Sequence, residues 1–143
     1  MSDTITVRYE NEIPDVMSAL ANIHKAMDTH NFDRTIHHLV QLRTSQINKC
    51  AYCIKLHTKE ARQDGETNER LDRVVVWDQV NDFSDREKSA LAWTEALTCP
   101  NTKTDLGMLR SNLRKHFFEK EISILTVTIA MINLWNRINI SRH

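Results

Sequence analysis

The chain has 143 residues, of which 41% are hydrophobic, and it carries 19 basic and 19 acidic side chains. This length suits one domain with its own hydrophobic core, and the composition argues against intrinsic disorder. The balanced charge provides no basic excess to neutralise phosphates, so we expect no nucleic-acid partner. A net charge near zero also permits self-association. Residues 1–143 are therefore predicted to form a single domain.

The sequence does not have the pattern of a signal peptide or of a membrane-spanning segment. The N-terminal stretch MSDTITVRYENEIPD lacks the apolar core of a signal peptide. The most apolar segment, residues 122–135, is interrupted by polar residues and is too short to span a bilayer. The three cysteines, an odd number, do not suggest a framework of structural disulfides. We expect a cytoplasmic protein with no membrane partner.

Glycine and proline are scarce, with two of each in the whole chain. A β-rich fold of this size needs many more turn residues than that. Apolar residues instead recur at helical spacing along the chain. The sequence therefore predicts an all-α bundle of about seven helices.

The first four helices can be placed from their capping residues. Pro14 suits a first helical turn, and Asp33 suits the N-cap of a second helix. A third helix is predicted to start with Asn48 as its N-cap and to end at Gly65. Thr67 is predicted to cap a fourth helix. The inward-facing residues of that helix are predicted to be Leu71, Val74 and Val75.

The last three helices have similar signals. Ser84 and Glu87 form an S-x-x-E capping box that opens a fifth helix, and Pro100 stops it. A sixth helix is predicted from about Asp105 and a seventh from about Lys120. The seventh is apolar on most sides, which is typical of a helix buried centrally or between subunits.

The stretch INKCAYCIKLH contains the residues with the most distinctive chemistry. On a helix, Cys50, Cys53 and His57 share one face, and the two sulfurs can reach disulfide distance. The start of the helix and the neighbouring Lys49 would stabilise a thiolate, so Cys50 is expected to be the more acidic thiol. His57 can accept a proton from Cys53. These are the parts of a dithiol peroxidase or a disulfide reductase.

Three other interpretations compete on the residues alone. Both cysteines can be small buried hydrophobic residues beside a core histidine. Alternatively Cys50, Cys53 and His57, with His37 or His38 from the preceding helix, can form a Cys2His2 metal site, although this spacing is not that of a standard zinc finger. A thioredoxin fold is excluded because the chain lacks a βαβ pattern.

A family resemblance favours the redox interpretation. The segments LVQLRTSQINKCAYCIKLHTKEARQDGETNERL and FSDREKSALAWTEALT resemble the carboxymuconolactone decarboxylase family, in particular its alkylhydroperoxidase-D-like branch with the motif C-x-x-C-x-x-x-H. The resemblance covers residues from about 33 to 137. It implies an alkylhydroperoxidase-D-like helical bundle, a homo-oligomer (trimer or hexamer) and peroxide reduction through a disulfide. The decarboxylases proper lack the cysteine pair, so decarboxylation is not implied.

The resemblance also assigns roles to residues. Cys53 corresponds to the cysteine that attacks the peroxide, Cys50 to the proton donor and resolving thiol, and His57 to a member of a proton relay. Two positions depart from the family pattern. His38 stands where the relay usually has a glutamate, and Lys49 stands where glycine is common. Because histidine can carry a proton, we predict that His38 replaces the glutamate.

The sequence therefore predicts a thiol-dependent, peroxidase-like oxidoreductase. Its substrate is expected to be hydrogen peroxide or an organic hydroperoxide, and its electron donor an unidentified thiol or protein. No cofactor and no metal are expected. The alternative is a non-catalytic helical oligomer or binding protein that keeps the scaffold with an altered relay.

A few polar residues lie outside this motif. Asn133, Asn136 and Arg137 interrupt the apolar last helix, so we expect them to form hydrogen bonds within the core or across subunits. Cys99 has no partner nearby in sequence and is expected to be structural.

Overall fold

The computed structural model describes residues 1–142, and that range contains eight α-helices, one 3₁₀ helix and no strand. The all-α prediction is thereby confirmed. The α-helices are α1 Tyr9–Glu12, α2 Pro14–Asp28, α3 Arg34–Ile47, α4 Ala51–Gln63, α5 Asn68–Arg73, α6 Asp85–Thr98, α7 Leu106–Arg114 and α8 Glu119–Ser141, and the 3₁₀ helix is Val74–Gln79.

Most helix starts lie where the capping residues predict them. Pro14 is the first residue of α2, and the Asp33 carboxylate accepts hydrogen bonds from two backbone N–H groups in the first turn of α3. Thr67 caps α5 in the same way. At α6 the predicted capping box is complete, because Ser84 and Glu87 each bind the other's backbone N–H. These local signals work because each satisfies N–H groups that have no partner within the helix.

The predicted fourth helix is shorter than expected. It ends at Arg73, and the chain continues as the 3₁₀ helix, within which Val76 has non-helical dihedral angles (φ −122°, ψ 30°). Three consecutive β-branched valines begin this segment, and such residues fit poorly into an α-helix. Val74 is buried as predicted, but Val75 is 52% exposed, so its predicted inward position is wrong.

Helix α3 lies at the centre of the bundle and has two buried faces. One face contributes Ile36 and Val40 to a cluster with residues of α6, α7 and α8. The other contributes Leu39 and Leu42 to a second cluster with residues of α4, α5 and α6. Because α3 is fixed on both sides, it is a rigid support for the helix that carries the cysteine pair.

The last helix is buried along much of its length, as its apolar sequence predicts. Leu125, Ile129 and Ile132 are buried, and Trp93 of α6 donates its indole N–H to Thr126 at 3.0 Å. Val127 remains 41% exposed. Within residues 1–142, no helix has both the length and the apolar character needed to cross a bilayer.

Candidate active site

The two motif cysteines lie at the start of α4 and are joined by a disulfide. Their Cα atoms are 5.2 Å apart, and both residues are buried, with 2% of each exposed. Cys50 is the N-cap of α4, and its Sγ faces the backbone N–H of Cys53 at 3.3 Å. The Cys50 sulfur therefore lies at the positive end of the helix.

The prediction that Asn48 caps this helix is wrong. Asn48 instead ends α3, and the chain reverses direction through Lys49, which has a left-handed backbone with φ 56°. Lys49 N–H donates to the carbonyl of Gln46, and Cys50 N–H donates to that of Ser45, both at 3.1 Å. This bond pair is a Schellman motif, in which the left-handed position favours glycine. The geometry explains why glycine suits this position better than lysine.

The side chain of Asn48 fixes this turn against the last helix. Its Nδ2 donates to Oδ1 of Asn133 at 2.9 Å and to Oδ1 of Asn136 at 3.0 Å. Asn136 is fully buried and donates in turn to Ser45 at 3.0 Å. The predicted core hydrogen bonds of Asn133 and Asn136 are confirmed. Arg137, in contrast, is exposed and bonds only to its own helix turn in the described chain.

A cavity of about 540 Å³ opens beside the disulfide. Cys53 lines it, whereas Cys50 does not. The lining residues are Glu10, His24, Asp28, Arg34, His37, His38, Gln41, Tyr52, Cys53, Leu56, His57, Glu60, Ile132, Trp135, Asn139 and Arg142. A cavity of this size falls in the range that small-molecule sites occupy. A molecule bound there would meet Cys53 before it could meet Cys50.

His57 lies one helical turn after Cys53 and lines the same cavity. Its ring is buried, and Nδ1 is 3.2 Å from Oε2 of Glu60. Burial lowers the pKa of His57 below its ordinary value, and the hydrogen bond with Glu60 opposes that shift only in part. The ring is therefore neutral near pH 7 and able to accept a proton.

His38 also lines the cavity, as expected if it belongs to the site. Only 3% of the residue is exposed, and its Nε2 is 2.6 Å from Oδ2 of Asp64. Its Nδ1 is buried and has no hydrogen-bond partner within residues 1–142. The structure thus groups Cys53, His57 and His38 around one cavity, with Cys50 bonded behind Cys53.

The adjacent His37 faces the cavity as well. Its ring centroid lies 5.7 Å from that of His38. Burial, together with the nearby His38 and Arg34, lowers the pKa of His37 to about 4. An uncharged His37 ring therefore forms part of the cavity wall at neutral pH.

Several lining residues were not predicted from the sequence to belong to the site. Asn139 directs its Nδ2 towards Sγ of Cys53 at 3.8 Å. Gln41 is buried, and its Oε1 has no hydrogen-bond partner in the described part of the chain. Trp135 donates its indole N–H to Nε2 of His24 at 2.6 Å, which connects α8 to α2. These residues come from helices far apart in sequence, so no local motif marks them.

Neither Cys99 nor the candidate metal ligands are arranged as the sequence suggested. Cys99 ends α6, is exposed and unpaired, and lies outside the cavity, so it is not a buried structural residue.

Cys50 and Cys53 are bonded to each other, so neither sulfur is a thiolate that could bind a metal in this state. Among residues 1–142, no three or more histidine, cysteine or acidic side chains are grouped to hold a metal ion.

Comparison with known proteins places this geometry in a family. Residues 14–96, more than half of the chain, match the model of the carboxymuconolactone decarboxylase family. The chain is 34% identical to the uncharacterized protein YdfG of Bacillus subtilis (strain 168) over 135 residues, which cover 94% of this chain and 92% of YdfG.

Solved structures share the fold. A protein of unknown function from Agrobacterium tumefaciens, provisionally described as the antioxidant defence protein AhpD, superposes with a TM-score of 0.90 and 29% identity, over 97% of this chain and 95% of that one. The debrominase Bmp8 superposes with a TM-score of 0.81 and 17% identity, over 92% and 71%. At that identity the likeness to Bmp8 concerns the fold alone. The match of the family model and the similarity to YdfG along nearly the whole chain show that this protein belongs to the carboxymuconolactone decarboxylase family, with the helical fold of its AhpD-like members.

Proposed function

We propose that the protein is a thiol-dependent, peroxidase-like oxidoreductase that reduces hydrogen peroxide or organic hydroperoxides through Cys50 and Cys53. One observation carries the proposal: the two cysteines form a disulfide of which only Cys53 lines the cavity, next to the neutral ring of His57. A disulfide between neighbouring cysteines is the oxidised state of a two-electron thiol cycle. Membership of a family with AhpD-like proteins supports the same chemistry.

The first step is an attack by Cys53. In the reduced protein the Cys53 thiol gives its proton to a cavity histidine, and the thiolate attacks the terminal oxygen of the hydroperoxide. The S–O bond forms while the O–O bond breaks, which leaves a sulfenic acid on Cys53 and an alkoxide, or hydroxide when the substrate is hydrogen peroxide. The leaving group takes the proton back from the histidine. Because burial lowers the pKa of His57, this base is available near pH 7.

The second step closes the disulfide. Sγ of Cys50 attacks the sulfur of the Cys53 sulfenic acid, the S–S bond forms, and the departing hydroxide combines with the Cys50 proton as water. The Cα separation of 5.2 Å in the closed disulfide lies within the usual range of roughly 4.4–6.8 Å. The helix N-terminus favours the thiolate of Cys50. An external thiol or protein donor then returns two electrons.

His38 is proposed to hold a proton in this cycle, in place of the family's glutamate. Its support is the position of its ring in the wall of the Cys53 cavity. The same departure from the family favours the alternative function, a non-catalytic helical oligomer or binding protein with an altered relay. Peroxide-driven oxidation of the cysteine pair distinguishes the two functions.

Thiol counting by mass spectrometry tests the proposal. The fully reduced chain has three alkylatable thiols, and one equivalent of peroxide should leave one, on Cys99. Dithiothreitol should restore the other two. A cumene hydroperoxide arm and a hydrogen peroxide arm identify the preferred substrate. Peroxide consumption with all three thiols still reduced would contradict the dithiol mechanism.

Three variants sharpen this experiment. Cys50→Ser should accumulate a sulfenic acid on Cys53, detected with a dimedone probe, because no resolving thiol remains. Cys53→Ser should consume no peroxide. Cys99→Ser is the matched control, since that residue is exposed and outside the cavity, and it should behave as wild type. No oxidation of Cys50 and Cys53 in any of these proteins would favour the non-catalytic alternative.

We also propose that the protein is a homo-oligomer, a trimer or a hexamer. Apolar side chains on two helices remain partly exposed, with Val16 of α2 at 47% and Val127 of α8 at 41%. Buried between subunits, they would contribute to association. Light scattering should report a multiple of the 16.7 kDa chain mass, and a monomer at micromolar concentration would contradict this part of the proposal.

A further inference from the structure

We infer that Asp64 is a positioning residue: by accepting a hydrogen bond from Nε2–H of His38, it makes Nδ1 the nitrogen through which His38 takes up and releases a proton. The inference rests on the proposed function, in which His38 serves the cysteine pair. Nothing in the family motif includes an acidic residue at this position. The contact itself is short, with Nε2 of His38 2.6 Å from Oδ2 of Asp64.

The backbone holds Asp64 firmly in place. Asp64 is the C-cap of α4, and Gly65 follows with φ 91°, a left-handed conformation. Gly65 N–H donates to the carbonyl of Arg62 at 3.0 Å, and Glu66 N–H donates to that of Ala61 at 2.9 Å. This is a second Schellman motif, now at the opposite end of the helix that begins at the cysteines. One helix therefore carries both the reactive sulfurs and the carboxylate that holds His38.

The contact determines which ring nitrogen exchanges its proton. An ionised carboxylate can only accept hydrogen bonds. The hydrogen bond from His38, and after it that from Arg34, lowers the pKa of Asp64, so the carboxylate is ionised at neutral pH. Nε2 of His38 must then carry a proton whether the ring is neutral or cationic. The proton gained or lost by the ring is therefore the one on Nδ1, which is buried without a partner in residues 1–142.

Asp64 acts on His38 from outside the cysteine cavity. It lines a second cavity, of about 460 Å³, and is absent from the lining of the first, whereas His38 lines both. The Asp64 side chain is 41% exposed, while the His38 ring is buried. A substrate beside Cys53 would contact the ring and not the carboxylate. Besides Asp64, the titratable neighbours of His38 include His37, whose ring centroid lies 5.7 Å away, and His57 on α4, while Arg34 binds the same Asp64 carboxylate at 2.9 Å.

In the proposed cycle, the proton that a cysteine thiol gives to His38 is returned to the product. When a thiol of the pair ionises, its S–H bond breaks and an N–H bond forms on Nδ1, directly or through a water. The imidazolium that results is paired with the Asp64 carboxylate. Cleavage of the O–O bond then produces an alkoxide, which recovers this proton as an alcohol. This arrangement parallels catalytic triads, in which an aspartate selects the tautomer of the histidine base.

Nitrogen-15 NMR of histidine-labelled protein tests the inference with a readout that does not depend on activity, and the oxidation rate is measured beside it. In wild type, the neutral His38 ring should carry its proton on Nε2 and none on Nδ1. In Asp64→Ala both tautomers should appear, and peroxide-driven oxidation of the cysteine pair should slow by about 10²-fold, the lower end of what a positioned base supplies. Asp64→Glu should restore the wild-type tautomer and most of the rate. Asp72→Ala, which removes an exposed carboxylate on α5, is the matched control and should change neither property.

Several outcomes would overturn the inference. A wild-type His38 with its neutral proton on Nδ1 would do so, and so would an unchanged tautomer and rate in Asp64→Ala. If Asp64→Ala does not fold, Asp64→Asn gives the same comparison. The amide can donate a hydrogen bond to Nε2 as well as accept one, so Nε2 of His38 no longer has to carry the proton. If no protein oxidises its cysteines with peroxide, the proposed function fails. The spectra of wild type and Asp64→Ala would still decide whether Asp64 fixes the His38 ring.

Discussion

The side-chain amide of Asn139 lies 3.8 Å from Sγ of Cys53, so the last helix contacts the sulfur that faces the cavity. The two residues are 86 positions apart in the chain. In the reduced protein, an N–H group directed at this sulfur stabilises the thiolate more than the thiol, which lowers the thiol pKa.

Asn139→Leu removes that donor at similar side-chain volume. We expect the pKa of the Cys53 thiol to rise and its oxidation at neutral pH to slow by about 10-fold, since sulfur is a weak acceptor. Ultraviolet absorbance of the thiolate during a pH titration of a Cys50→Ser, Cys99→Ser background measures the pKa. Asn11→Leu is an exposed control. An identical Cys53 titration in the Asn139 variant would show that the amide does not act on the sulfur.

His57 should impose a pH dependence on oxidation. Burial lowers the pKa of His57 below the ordinary 6.5, so the ring is a neutral base at pH 7. The ring becomes protonated, and can no longer accept a proton, only when the pH falls through its pKa in the folded protein. His57→Gln should slow disulfide formation at neutral pH by about 10²–10⁴-fold. Stopped-flow measurements should show the ratio of wild-type to variant rates shrinking as the pH falls. A ratio that stays constant over the acidic range would exclude His57 as the base.

His37 should make stability depend on pH. Its pKa is lowered from 6.5 to about 4 in the folded protein, mainly by burial. Between these two values the unfolded chain binds more protons at this residue than the folded one, so the contribution of His37 to the free energy of unfolding falls as the pH decreases from 6.5 towards 4 and is constant above 6.5. The loss should be on the order of 1–3 kcal/mol.

Urea denaturation of wild type and His37→Gln at about pH 7 and about pH 4.5 measures this contribution. The difference in stability between the two pH values should be smaller in the variant, because glutamine does not titrate. His30→Gln, at an exposed position, should behave as wild type. An equal pH dependence in all three proteins would show that His37 is not the group responsible.

Lys49→Gly tests the turn before the cysteines. Lys49 adopts φ 56°, a conformation that costs a side-chain-bearing residue roughly 1–2 kcal/mol relative to glycine, while glycine loses roughly 0.5–1 kcal/mol through chain entropy. The variant should therefore be more stable by up to about 1 kcal/mol. Lys59→Gly, inside α4 and also exposed, should instead lose about 1 kcal/mol. Chemical denaturation compares them, and destabilisation of equal size at both positions would be inconsistent with the left-handed turn.

Local sequence determined much of this protein. Pro14, Asp33, Thr67 and Ser84 mark helix starts where the structure has them, and Gly65 follows the end of α4 as predicted. The spacing of Cys53 and His57 places both on one side of α4, where they line the same cavity, whereas Cys50 lies just before the helix as its N-cap. These features depend on interactions within one or two helical turns, so a short stretch of sequence contains all the partners.

Tertiary structure decided the rest. By residue type Asn48 could begin α4, but in the structure it ends α3, and its side chain binds Asn133 and Asn136, more than 80 positions away. His38 and Asp64 meet only because α3 and α4 pack side by side, and Asn139 reaches Cys53 only because α8 crosses the site. Hydrogen bonds of this kind depend on how helices pack, and helical periodicity specifies which face is buried without specifying which residue it will face.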